Sequence, residues 1–187
     1  MDEIKSLQII NDLTKVELKE YVTIENDLYT RYVPMPSGQS PKDYWYTTSG
    51  RFATEGKPAM SFGSSIEICK AERGFELGSN VQALGYEMKY QISGVPLFDT
   101  VKFANDYPET QDELYCPNGP DKYKASRAFT EIVAQKLKDD VLGFKAYSAS
   151  GLFQGSLDER CIHIWEPIPP ENIKLIDCKY IHQLIEE

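Results

Sequence analysis

The chain has 187 residues, 41% of them hydrophobic and 26% charged, and a formal net charge of −9. That composition suits one globular domain and excludes a disordered chain. The acidic balance argues against a nucleic-acid partner, since affinity for phosphate backbones comes from clustered Lys and Arg.

No run of about 18 apolar residues is present to span a membrane. The acidic start "MDEIKSLQIINDL" lacks the basic-then-apolar order of a signal peptide, so a cytoplasmic protein with no membrane partner is expected. Cys69, Cys116, Cys161 and Cys178 show no CxxC spacing, and His163 and His182 stand apart. Reduced packing thiols are therefore expected, with no metal site.

In chain order, Ile4, Leu7, Ile10, Leu13 and Val16 recur at helical spacing over 2–20, and "TKVE" at 14–17 has the form of a capping box opening a second helix. "YVTIENDLYTRYVP" (21–34) is strand-like at both ends, and "MPSGQSPKDY" is a loop. "KPAMSF" (57–62) reads as a short buried strand. In "SSIE" (64–67), Ser64 as N-cap and Glu67 at N3 form a capping box, which predicts a helix from about 65 until Gly74.

"GYEMKYQIS" (85–93) alternates as a half-buried strand, and "VPLFDT" continues the sheet after a turn. Residues 104–122 read as a polar loop around "PNGP". "RAFTEIVAQKLKDD" (127–140) is an amphipathic helix with Phe129, Ile132, Val133 and Leu137 on one side. "GFKAYS", "CIHIWEP" and "IKLIDCKYI" are further strands. The sum is an α+β domain with a mainly antiparallel sheet.

Chemistry enters at Glu72. Three and four residues from Cys69 and Ile68, it falls on the apolar stripe of its helix, whereas Glu67 and Lys70 face solvent. A carboxylate on an inward face either pairs with a cation or works in a cleft. Arg51, after a serine-glycine turn, is the cation in question, as a structural ion pair with Glu72 or as a ligand grip.

Three segments resemble the RES-domain family, named for Arg, Glu and Ser: "LYTRYVP" (28–34), "GRFATEGKPAMSFGSSIEICKAE" (50–72) and "GFKAYS" (143–148), in that order, with "RCIHIWEP" (160–167) where the family's final strand lies. Arg51, Gly56, Pro58 and Glu72 match without a gap, and Ser148 falls on the serine. Two positions depart: the family tyrosine corresponds to Ser61 and an asparagine to Ala53.

The resemblance implies a single RES-like domain, with a helical extension at 1–22 and a catalytic core at 23–187, built as an ADP-ribosyltransferase-like split sheet with flanking helices. It implies NAD as substrate, no further cofactor, and cleavage of the nicotinamide–ribose bond. Glu72 would stabilise the oxocarbenium character of the ribose, and Arg51 would grip a phosphate or the ribose through its planar fork. Ser148 would orient the ligand or Glu72, or else serves only as a strand-end residue satisfying backbone groups.

NAD contacts are also expected from Ser61 and Phe62. Tyr46, in "DYWYTT" (43–48), offers a stacking platform or a core aromatic. Phe153 and Gln154 lie where a loop would cover the ligand.

Three functions are open: an NAD glycohydrolase or phosphorylase of toxin type, an ADP-ribosyltransferase modifying a protein, and, because of Ser61 and Ala53, a non-catalytic NAD-binding module. Expected partners are a helix-turn-helix antitoxin or other inhibitor and a second copy of the chain, with residues 2–20 presenting an apolar face.

Overall fold

The computed structural model describes residues 12–34, 38, 51–53, 57–72, 85–115, 123–149, 160–165 and 170–181. Its strands are β1 (Val22–Glu25), β2 (Leu28–Val33), β3 (Ala59–Gly63), β4 (Gly85–Ile92), β5 (Val95–Asp99), β6 (Gly143–Tyr147), β7 (Arg160–Trp165) and β8 (Ile173–Ile181). The helices are α1 (Ile66–Ala71), α2 (Thr100–Asp106), α3 (Gln111–Leu114) and α4 (Lys124–Leu137).

These strands form one sheet in the order β1-β5-β6-β7-β3-β2-β4-β8. Every neighbouring pair is antiparallel except β5 with β6, so the α+β, mainly antiparallel expectation holds. The split is reduced to a seam: β2 and β3 share one bridged position, Thr30 opposite Gly63.

Both faces of the central strands are covered, whereas β8 at the edge is mostly exposed. Period-two alternation sends Met60 and Phe62 of β3, Ile162 and Ile164 of β7, and Met88, Tyr90 and Ile92 of β4 into one core. The other face holds Ala59, Phe144, Ala146 and Trp165 against Phe103 of α2 and Phe129, Val133 and Leu137 of α4. Both sides being buried, β3 and β7 read as nearly continuous apolar runs.

Two expectations are corrected. The second N-terminal helix is replaced by 3₁₀ turns at Leu13–Lys15 and Leu18–Tyr21, because Val16 between them is extended (ψ 137°). Leu13, Leu18 and Tyr21 are buried, so packing rather than helix periodicity explains their spacing. Residues 2–11 and the "PNGP" turn lie outside the described residues.

The expected loop at 104–122 is helical where described. Asp99 ends β5 and caps α2, its carboxylate accepting from Val101 N at 3.0 Å and Lys102 N at 2.9 Å. A 3₁₀ turn at Pro108–Thr110 leads into α3. No helix among the described residues is long and apolar enough to cross a membrane.

Candidate active site

Glu72 sits where α1 stops. The helix is capped by Ser65, whose hydroxyl accepts from Ile68 N at 3.3 Å, rather than by Ser64, whose Oγ instead accepts from Arg160 N at 3.3 Å. The capping-box register is thus shifted by one, and Glu67 is not its reciprocal partner. Ile68, Cys69 and Ala71 are buried beneath the helix.

Glu72 is the C-cap, its N–H donating to Ile68 O at 2.9 Å. It is exposed, which corrects the inward placement that spacing suggested: the helix is too short to carry the apolar stripe as far as residue 72. The carboxylate lies at the rim, where Ser148 meets it. Ser148 Oγ donates to Glu72 Oε1 at 2.5 Å, and Ser148, one residue past β6, is 1% exposed. A nearly buried hydroxyl thereby orients a carboxylate that reaches solvent.

Arg51 is rooted by its neighbour. Trp165 Nε1 donates to Phe52 O at 2.9 Å, and the Phe52 ring stacks on Phe144 at 5.2 Å between centroids. From that anchor Arg51 Nη1 donates to Leu114 O at 3.0 Å, and its guanidinium lies over the Tyr123 ring at 4.8 Å. None of the ion pairs among the described residues joins Arg51 to Glu72.

The two are linked through aromatic packing. Tyr115, which follows Leu114, packs edge-on against Tyr147 at 5.5 Å and shares a 2.8 Å hydrogen bond with Thr100. Tyr147 precedes Ser148.

Ser61 lies opposite His163 in the β3–β7 register, and the Ser61 hydroxyl and His163 Nδ1 are 2.8 Å apart. Burial, and then the positive charge of Arg51, push the imidazole down to about 3, so it is neutral at physiological pH. Gly143 lets β6 close on this strand: a Cβ there would stand 1.9 Å from His163 O.

His163 is a member of the site that sequence reasoning passed over as standing alone. The signal available was its alternation with Cys161 and Trp165, which gives it the same face as Ser61 once β3 and β7 pair.

Phe62 goes the other way. It is 2% exposed and meets Tyr90 edge-on at 5.2 Å in the opposite core, so it packs the sheet away from Ser61. Tyr46, Phe153 and Gln154 lie outside the described residues. Among the described residues no group of three His, Cys, Asp or Glu side chains comes together as a metal site would require.

Below Glu72, burial pushes the Cys69 thiol up to about 12, and Cys69 donates to Thr30 O at 3.0 Å. It is a protonated packing donor. Arg31, 5% exposed in β2, lowers that same thiol electrostatically while Glu72 raises it, so charges of both signs act on Cys69. Its place inside the "LYTRYVP" strand gave no cue beyond a charge within an apolar run.

No family model and no curated protein matches the sequence. Among solved structures the chain is similar to one in the crystal structure of the M. tuberculosis MbcT–MbcA toxin–antitoxin complex. The TM-score is 0.60 and the identity 14%, over 96% of this chain and 93% of that chain. At that identity the likeness is one of fold.

Proposed function

We propose that the chain is a toxin-type enzyme that consumes NAD by breaking the nicotinamide–ribose bond, with water or phosphate as acceptor. The observation that carries this reading is the Ser148–Glu72 hydrogen bond, which joins the serine and glutamate of the RES resemblance across 76 residues of sequence at 2.5 Å. The fold likeness to a chain of a toxin–antitoxin complex supports a toxin role and an inhibitory protein partner.

In this reading the C1′–N bond breaks and its electron pair leaves with nicotinamide, while an acceptor oxygen bonds to C1′ and, where the acceptor is water, its proton is released to solvent. Positive charge builds on the ribose between those events. Glu72 stabilises it electrostatically, and Ser148 fixes the carboxylate before the charge develops, so little reorganisation is needed. Arg51 binds an anionic or hydroxyl oxygen of the substrate. Ser148 is a positioning residue, since its hydroxyl is committed to a carboxylate rather than to a histidine base. Neutral His163 fixes Ser61, which stands where the family carries tyrosine.

Incubating the purified protein with NAD, with and without phosphate, and identifying the products tests this. Free nicotinamide with ADP-ribose, or with its phosphorylated form, is expected. Intact NAD in both arms would overturn it, and label transferred to a protein would redirect it to the ADP-ribosyltransferase reading.

A further inference from the structure

We propose that β8 is a docking edge for a second copy of the chain, the two β8 strands pairing antiparallel about a two-fold axis at Cys178 so that the sheets of both copies become continuous. This interface is independent of the NAD chemistry above.

β8 ends the strand order and, among the described residues, pairs with β4 alone. It is nine residues long and mostly exposed, with Leu175 at 41% and Ile176 at 48%. A long edge strand that carries exposed apolar side chains is a template for another strand.

The direction of its backbone groups follows from β4. Ile92 N–H donates to Asp27 O on the β2 side at 2.9 Å, and Ser93 N–H donates to Asn172 O on the β8 side at 2.9 Å. Antiparallel ladders alternate, so Lys89 and Glu87 bond towards β8, and their register partners Asp177 and Lys179 bond back. Cys178 and Tyr180 therefore turn their N–H and C=O away from β4, as does Ile176, which the β4 register skips at a bulge.

Charge selects the register in which two such edges meet. With the axis at Cys178, Asp177 stands opposite Lys179 of the second copy and the reverse holds by symmetry, while Ile176 stands opposite Tyr180 of the second copy. Moving the axis by one residue sets Asp177 against Asp177 or Lys179 against Lys179, a like-charge contact in either direction. The axis at Cys178 also extends a pattern present within one copy, where Lys179 Nζ meets Glu87 Oε2 at 2.9 Å and Asp177 stands opposite Lys89. Across the axis the row becomes Glu87 and Lys179, then Asp177 and Lys89 of the second copy, with signs alternating from strand to strand. Lys179, its side chain 57% exposed, keeps Glu87 and gains a second carboxylate on its outer side.

Sedimentation of the full chain tests this, and twice the mass of one chain is expected. Asp177→Lys and Lys179→Asp should each raise the dissociation constant by about tenfold or more, because symmetry applies the reversed charge twice. Mixing the two variants should restore the dimer, since each lysine at 177 or 179 of one chain then faces an aspartate of the other. A merely structural role for either residue gives no such rescue. A short bismaleimide should join two wild-type chains through Cys178, which is exposed, and the product should be lost in Cys178→Ser.

Cys178→Pro spares the charges: it deletes an outward N–H and leaves the ladder to β4 in place, so it should be folded and monomeric. It decides the question should a charge variant not fold. Wild-type chain that sediments as a monomer overturns the proposal. So does a dimer that survives the charge variants or the proline, or one whose Cys178 thiols fail to cross-link.

Discussion

Ser148 and Glu72 meet although one follows a strand and the other ends a helix, and their 2.5 Å hydrogen bond couples a side chain that is 1% exposed to one at the surface. Glu72→Gln keeps the size and a hydrogen-bonding oxygen and deletes the charge. The rate of nicotinamide release should fall about 100-fold or more, as removal of a directed electrostatic stabiliser does, while NAD affinity and Tm change little. A stable variant with wild-type turnover would remove Glu72 from the chemistry.

Arg51→Lys should damage NAD turnover nearly as much as Arg51→Ala. The guanidinium contacts Leu114 O and the Tyr123 face at once, a planar arrangement that an ammonium on a flexible stem does not reproduce. Steady-state kinetics of the two variants side by side is the check, and near-normal turnover in the lysine variant would separate Arg51 from the ligand.

Gly63→Ala should destabilise the fold by about 1–3 kcal/mol through overpacking. The added Cβ would stand 2.9 Å from Cys69 Sγ, 3.1 Å from Ile68 Cγ2 and 3.2 Å from Ser65 O. Chemical denaturation measures the loss. Cys69→Ala on the same background should restore part of it, because the nearest clashing atom is removed.

His163 gives stability a defined pH dependence. Its folded-state pKa is about 3 against an ordinary value of 6.5, so between those values the unfolded chain takes up a proton that the folded chain refuses. The contribution is complete above about pH 6.5 and is lost as pH falls towards 3. His163→Gln, which does not titrate, should show a shallower decline of Tm with acid over that window. Identical slopes in variant and wild type would mean that the imidazole is not held neutral.

Much of the sheet was legible because alternation is a local signal: "GYEMKYQI" became β4 with Met88, Tyr90 and Ile92 on one face, and the three late strands formed where their apolar runs lie. What stayed hidden depended on tertiary contact. Asp99 looked like the end of a strand and is also a helix cap, a double role visible only when its carboxylate meets Val101 N.

Val16 fits a helical stripe, yet its backbone is extended because buried Leu13 and Leu18 hold the turns on either side to one core. Glu72 was found by its spacing and placed wrongly by it, since helix length was set by contacts that the motif does not contain. Pairing with Ser148 followed from the resemblance and from neither periodicity nor propensity. His163 required the β3–β7 register, which a single sequence does not fix.

The one-rung seam has a mechanical consequence. With only Thr30 and Gly63 bridging β2 and β3, α1 becomes a brace across the joint: Cys69 fastens it to Thr30 on one side, and Glu72, at the end of the same short helix, fastens it to Ser148 on the other. Any hinging of the three-strand wing against the five-strand wing must tilt this brace. Separation of the two wings therefore loads the Cys69–Thr30 and Glu72–Ser148 contacts of the one helix together.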